Sequence, residues 1–183
     1  LILVCIFIPI FTSCNNWLAV DMEDGMLEDK LYESNEGYMT VLNGVYARLN
    51  ENYSTTLSMT ILDVMAQYYN VRQNIFHVYG NYIFDDKVFE ETSSSVWARQ
   101  YAQIANLNTL LTHIDAEDSN IKVSYYSFVK GEALALRAFL HFDLIRLYGP
   151  IYNSATENIT CIPYQESDSK EIQPLLPAKD VMG

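Results

Sequence analysis

Apolar residues return at three- and four-residue steps in four stretches of this chain, the spacing that lines one face of an α-helix. In the first, Tyr38, Val41, Leu42, Val45, Tyr46 and Leu49 follow Ser34. Serine caps helix starts well, and Glu36 stands near the positive end of such a helix. The spacing predicts a helix from there to about Asn52. A second is predicted over residues 56–68, on Leu57, Ile61, Val64, Met65 and Tyr68. A third, over 91–113, rests on Val96, Trp97, Tyr101, Ile104, Leu107, Asn108 and Leu111, with Trp97 read as core. The fourth covers 124–148 and is closed by Gly149-Pro150, a pair that stops helices. Its centre is apolar around most of its circumference, so it is expected between other helices. Gly131, Ala135 and Ala138 form a stripe of small residues on it, which predicts that Ala135 and Ala138 lie against a neighbouring helix.

Two stretches lack this period. Residues 70–86 set Phe76, His77, Tyr79, Gly80, Tyr82 and Phe84 among Asn and Asp. They read as a long aromatic loop with a short extended piece. From Pro150 to Leu176 the chain is loop-like. Residues 175–183 then read as a loop in which Pro177 opens a new helix, as Pro in a first turn does. The fold class expected is all-α. Paired antiparallel helices are its simplest form, and stacked helical repeats are compatible with it. The chain is expected to be part of a longer protein.

The start follows another pattern. Residues 1–11 are almost wholly apolar, Thr12-Ser13-Cys14 comes next, and Asn15, Asn16, Asp21, Glu23 and Asp24 follow. The run is shorter than the roughly 20 residues a membrane-spanning helix needs, and Pro9 interrupts it. It reads as an export leader, without its charged front end, cut just before Cys14. The new terminal cysteine would carry lipid. The expected organisation is a leader over 1–13, a lipid-anchored segment over 14–33 and a helical domain over 34–183.

Charge and cysteine content narrow the function. The formal net charge is −12, which argues against nucleic-acid binding and against electrostatic docking on anionic lipid. Once Cys5 leaves with the leader and Cys14 is acylated, Cys161 has no partner for an internal disulfide. His77, His113 and His141 are far apart, and none pairs with a second ligand at metal spacing. No metal, other cofactor or catalytic residue is expected. Glu132 and Asp143 stand eleven positions apart, about 16 Å along a helix. Glycosidase carboxylates lie within about 10 Å of one another. Asp143 with Arg146 reads as an i,i+3 surface pair.

Binding chemistry concentrates in and beside the aromatic loop. Sugar rings present C–H faces that pack on flat aromatic surfaces, and their hydroxyls bond to amides and charged groups. Tyr68, Tyr69, Arg72, Asn74, Tyr79, Asn81 and Tyr82 supply those types within fifteen positions. The same tyrosines could instead cover the helix core.

Several segments resemble SusD/RagB-type lipoproteins. They are Ser13-Cys14-Asn15-Asn16-Trp17-Leu18-Ala19-Val20, Gly37-Tyr38, Leu42-Asn43-Gly44-Val45-Tyr46 and the long run from Lys130-Gly131-Glu132-Ala133 through Leu147-Tyr148-Gly149-Pro150. The resemblance implies an α-α superhelix of tetratricopeptide-like helix pairs with long loops. It implies lipid anchoring on the outer membrane, facing outward, and a SusC-like TonB-dependent transporter as partner. It also implies capture of an oligosaccharide or a peptide, by binding alone. The alternatives are a lipid-anchored hydrolase with its catalytic residues beyond Gly183 and a helical-repeat adaptor for protein. The anchor is directly testable. Cys14→Ala is expected to release the protein from membranes or leave it uncleaved, and a processed variant that still fractionates with membranes would refute the anchor.

Overall fold

The computed structural model describes residues 30–71 and 74–182. The leader over 1–13, Cys14, most of segment 14–33 and Arg72 lie outside the described residues.

Helix α1 (Asn35–Leu49) begins as expected: the Ser34 hydroxyl accepts from the Gly37 N–H at 3.1 Å. Position 37 requires glycine, because a Cβ there would fall 1.5 Å from the Leu31 carbonyl oxygen. The helix does not stop near Asn52. It runs on without a break as a π-helix over Asn50–Leu62 and a last α-helical turn, α2 (Asp63–Met65). The first two expected helices are therefore one uninterrupted helical run. No Gly or Pro stands between them to end it. Hydroxyls instead bond back to the backbone, as Thr60 Oγ1 does to the Thr55 carbonyl at 2.7 Å. Such side-chain competition for carbonyls favours departures from the α ladder.

Among its described residues, the region over 70–86 has no strand and contains a short helix, α3 (His77–Gly80). Four residues are too few to show a period. Helix α4 (Lys87–Ile114) starts four positions earlier than its apolar pattern, because the Asp86 carboxylate caps it by accepting from Val88 N–H at 2.8 Å. Helix α5 (Val123–Tyr148) ends at Gly149, whose N–H donates to the Ile145 carbonyl at 2.8 Å.

Helices α4 and α5 lie antiparallel. Trp97 meets Tyr148 edge-on at 5.0 Å, Tyr101 meets His141 at 6.3 Å, and Arg137 donates to Asn108 Oδ1 at 2.9 Å. Residues Tyr38, Leu42 and Val45 of α1 join Ile104, Leu107 and Leu110 of α4 and Ala133, Leu140 and Leu144 of α5 in one core. The Tyr38 hydroxyl donates to the His113 carbonyl at 3.2 Å, tying α1 to the end of α4. A second core gathers Leu57, Ile61, Val64, Val71, Val78, Tyr79 and Val96. Two short antiparallel strands, β1 (Thr160–Pro163) and β2 (Leu175–Pro177), stand where only loop was expected; they are too short for alternation to be visible. Helix α6 (Ala178–Met182) follows Pro177 directly. The fold is all-α with this one small sheet among the described residues.

Two expectations about α5 are corrected. Gly131, Ala135 and Ala138 are exposed, together with Leu134, Phe139 and Phe142. The inward face is instead Val129, Ala133, Leu140 and Leu144. A helix apolar on nearly every side carries no period that says which side turns in. The Asp143–Arg146 pair does form, but it is not a surface pair, since Asp143 is 1% exposed. Tyr53 lies against it, and burial together with that carboxylate pushes the Tyr53 phenol up to about 12.

Asn108, Arg137 and His141 fasten the chain after β1 onto the helix pair. Asn108 Nδ2 donates to the carbonyls of Gln165 and Ser167, at 3.1 and 2.9 Å, and Arg137 donates to that of Glu166 at 2.8 Å. His141 bonds the Arg137 carbonyl through Nδ1 at 3.0 Å and accepts the Gln165 N–H at Nε2, at 3.1 Å. These roles require a neutral ring with its proton on Nδ1. Burial holds the His141 pKa below its ordinary value. The unfolded chain then binds a proton near pH 6.5 that the folded chain refuses until lower pH. Stability from this site is complete above about pH 6.5 and falls as the pH drops toward the folded pKa. Denaturation midpoints at about pH 7.5 and about pH 5.5 are expected to differ less in His141→Gln than in the unaltered chain. An equal difference in both would rule the histidine out as a source.

Candidate functional site

The helical run ends where Ala66 and Gln67 turn the chain, Gln67 in the left-handed region with φ of 63°. The next residues, Tyr68 and Tyr69, are released from the core. They are 75% and 55% exposed. They stand on the wall of a cavity of about 480 Å³ together with the amides of Gln67, Asn70 and Asn81. Val71 and Gly80 also line it. The volume falls within the roughly 300–1,000 Å³ of small-molecule sites. Broad phenol faces beside amide donors and acceptors suit a ligand with C–H faces and hydroxyl edges.

The seven residues singled out from sequence do not all meet there. Tyr68, Tyr69 and Asn81 line the cavity. Arg72 lies outside the described residues. Asn74 sits in a local turn, its Oδ1 accepting from Phe76 N–H at 3.0 Å. Tyr82 has φ of 54° and sends its hydroxyl to the Met65 carbonyl at 2.5 Å. Tyr79 is only 5% exposed; its hydroxyl donates to Thr92 Oγ1 at 2.8 Å and its ring packs on Phe89 at 5.7 Å. Phe89 in turn meets Phe84 at 4.9 Å, and Phe84 meets Tyr82 at 6.2 Å. Much of the aromatic crowding over 76–84 therefore belongs to the second core and the rings packed against it.

Gln67 was not apparent from sequence. Its Nε2 donates to the Gly80 carbonyl at 2.7 Å across thirteen positions. A long-range bond from an exposed amide has no pattern in the chain that announces it.

Two further cavities adjoin the π-helix. A groove of about 710 Å³ is lined mainly by apolar side chains, among them Ile61, Met65, Phe84 and Leu147. It offers a sugar few hydrogen-bonding groups beyond Ser93, Arg146 and two tyrosines. A cleft of about 20 Å³ between the π-helix and α4 has room for about one water. The buried Gln100 amide lines it with neither polar atom hydrogen-bonded.

The SusD-like family model, described as starch-binding and associating with the outer membrane, matches residues 17–173. The chain belongs to the SusD-like family. Neither a curated protein nor a solved structure matches it. The SusD-like match runs from before α1 through the chain that Asn108 and Arg137 fasten down, so it takes in the tyrosine cavity, the second core and all of the first core except Ala178. It carries an association with carbohydrate and the outer membrane. It does not say which residues touch a ligand.

Close approach sets the inner wall of the cavity. A Cβ at Gly80 would lie 2.7 Å from Val71 Cγ2. Val71 is 9% exposed and has no flexible end to swing away. Gly80→Ala is expected to displace Val71 and lower stability by about 1–3 kcal/mol, measured by denaturant titration. A loss below about 0.5 kcal/mol would mean that the wall yields freely.

Proposed function

We propose that this SusD-like protein captures an oligosaccharide in the cavity walled by Tyr68, Tyr69, Asn70 and Asn81 and passes it to a SusC-like TonB-dependent transporter. Lipid on Cys14 holds it to the outer membrane with this surface outward. It acts by binding alone. Among the described residues no helix is long and apolar enough to cross a membrane, which accords with attachment through lipid. The tetratricopeptide-like pairing of helices belongs to the same reading, and the antiparallel α4 and α5 support it.

One observation carries the proposal: two neighbouring tyrosines stand largely in solvent around a cavity edged with side-chain amides. Exposing two adjacent large rings forgoes burial free energy, and a ligand with apolar ring faces recovers it. Amides supply both donors and acceptors, as hydroxyls require. A peptide ligand would draw less from this wall, whose described side chains carry no formal charge.

Calorimetric titration of maltoheptaose into the full chain tests the site. Tyr68→Ala and Tyr69→Ala are each expected to weaken binding roughly tenfold. Both rings are exposed, so stability should change by no more than about 0.5 kcal/mol. Binding unaltered in both variants would place capture elsewhere.

A further inference from the structure

Gln67 and Tyr82 are the two non-glycine residues with positive φ among the described residues, 63° and 54°. Such backbone is uncommon for side chains of this size and persists where surroundings hold it. Both residues stand beside the tyrosine cavity, one on each of the two segments that bound it. Each sends a side chain to the opposite segment. Gln67 Nε2 reaches forward to the Gly80 carbonyl at 2.7 Å, and the Tyr82 hydroxyl reaches back to the Met65 carbonyl at 2.5 Å. The two bonds cross-tie residues 65–67 to residues 80–82. Tyr68 and Tyr69 leave from one end of this frame, and Asn81 sits inside the other.

We infer that Gln67 and Tyr82 are positioning residues: their reciprocal ties hold the stacking tyrosines and the Asn81 amide at a fixed separation before ligand arrives. The inference rests on reading the cavity as a glycan site. Tyr82 then contributes through its hydroxyl bond and its packing on Phe84, not by stacking on sugar. Without the ties, the ligand must order both segments as it binds, and affinity falls; Tyr82→Phe isolates this effect, because Gln67 also lines the cavity and Tyr82 does not.

The test uses variants that delete a donor and keep the shape. In Gln67→Glu a carboxylate replaces the amide donor, and in Tyr82→Phe the ring stays while the hydroxyl goes. Titration of maltoheptaose into the full chain should show roughly three- to tenfold weaker binding for each, with a less favourable entropy. Gln67→Lys restores a donor that can reach the Gly80 carbonyl and should recover part of the affinity. Hydrogen exchange reads the frame without ligand. The Asn81 and Tyr82 amides, bonded to the His77 and Tyr79 carbonyls at 2.9 and 3.2 Å, should exchange faster in the double variant Gln67→Glu/Tyr82→Phe.

Unchanged exchange at those amides would overturn the inference, as would faster exchange with unchanged affinity. A variant that melts early yet binds normally at low temperature would make the two residues structural only. The glycan reading fails separately, when Tyr68→Ala and Tyr69→Ala leave binding intact or the unaltered chain gives no binding heat. Exchange then decides by itself whether the frame exists.

Discussion

Everything else in this molecule leans on two long helices held side by side. Residues 87–114 and 123–148 pack antiparallel, and their contacts change character along the seam. Aromatic rings meet at one end, where Trp97 touches Tyr148. In the middle, buried Asn108 and half-buried Arg137 form a polar bridge that also grips the chain at 165–167. At the far end Lys130 binds the Asp115 carboxylate at 2.7 Å, and this pair holds the Asp115 pKa down. Apolar burial supplies most of the free energy of such a seam, but it is indifferent to sliding. The polar bridge is not indifferent, since a shift of one turn would strand buried donors and acceptors.

The site inherits its rigidity from this pair. Val96 of α4 belongs to the second core, and Phe89 near the start of the same helix supports Tyr79. Val71, which lines the tyrosine cavity, belongs to the same core, so the cavity wall rests against a long helix although its rim is made of turns. Binding groups on turns above a rigid element are a common division of labour in proteins. Here the turns are also bound to one another by side chains, which few exposed loops achieve.

Legibility in the sequence followed the range of each interaction. The Ser34 cap and the Gly149 stop act within one helical turn, and both stood where local chemistry placed them. The long amphipathic helices were equally readable, since their period repeats many times. Short elements were not: α3 and the two strands hold too few residues to establish any period. The inward face of α5 is not legible, because Ala, Leu and Phe surround the helix on every side. At the candidate site, Tyr68, Tyr69 and Asn81 could be chosen by residue type alone, and they line one cavity. Tyr79 shares that type yet faces inward, because Thr92 and Phe89 await it across the fold. Gln67 meets Gly80 only after the chain has turned, so nothing local marks it.

The π-helix over Asn50–Leu62 has a bearing on how tolerant this region is of changes in length. Its i→i+5 bonds accommodate more residues than an α-helix would over the same rise. That surplus sets the rotational phase at which α2 leaves the run, and hence the direction in which Val64 points. Loss of a single residue from this segment would turn everything after it by the angle one π-helical residue subtends, somewhat less than the roughly 100° of an α-helix. Val64 would leave the second core, and Tyr68 and Tyr69 would swing off the wall they share with Asn81. Point substitutions at the exposed positions of this segment cost little by comparison. The thirteen-residue count therefore matters more to the cavity than the identity of most residues within it.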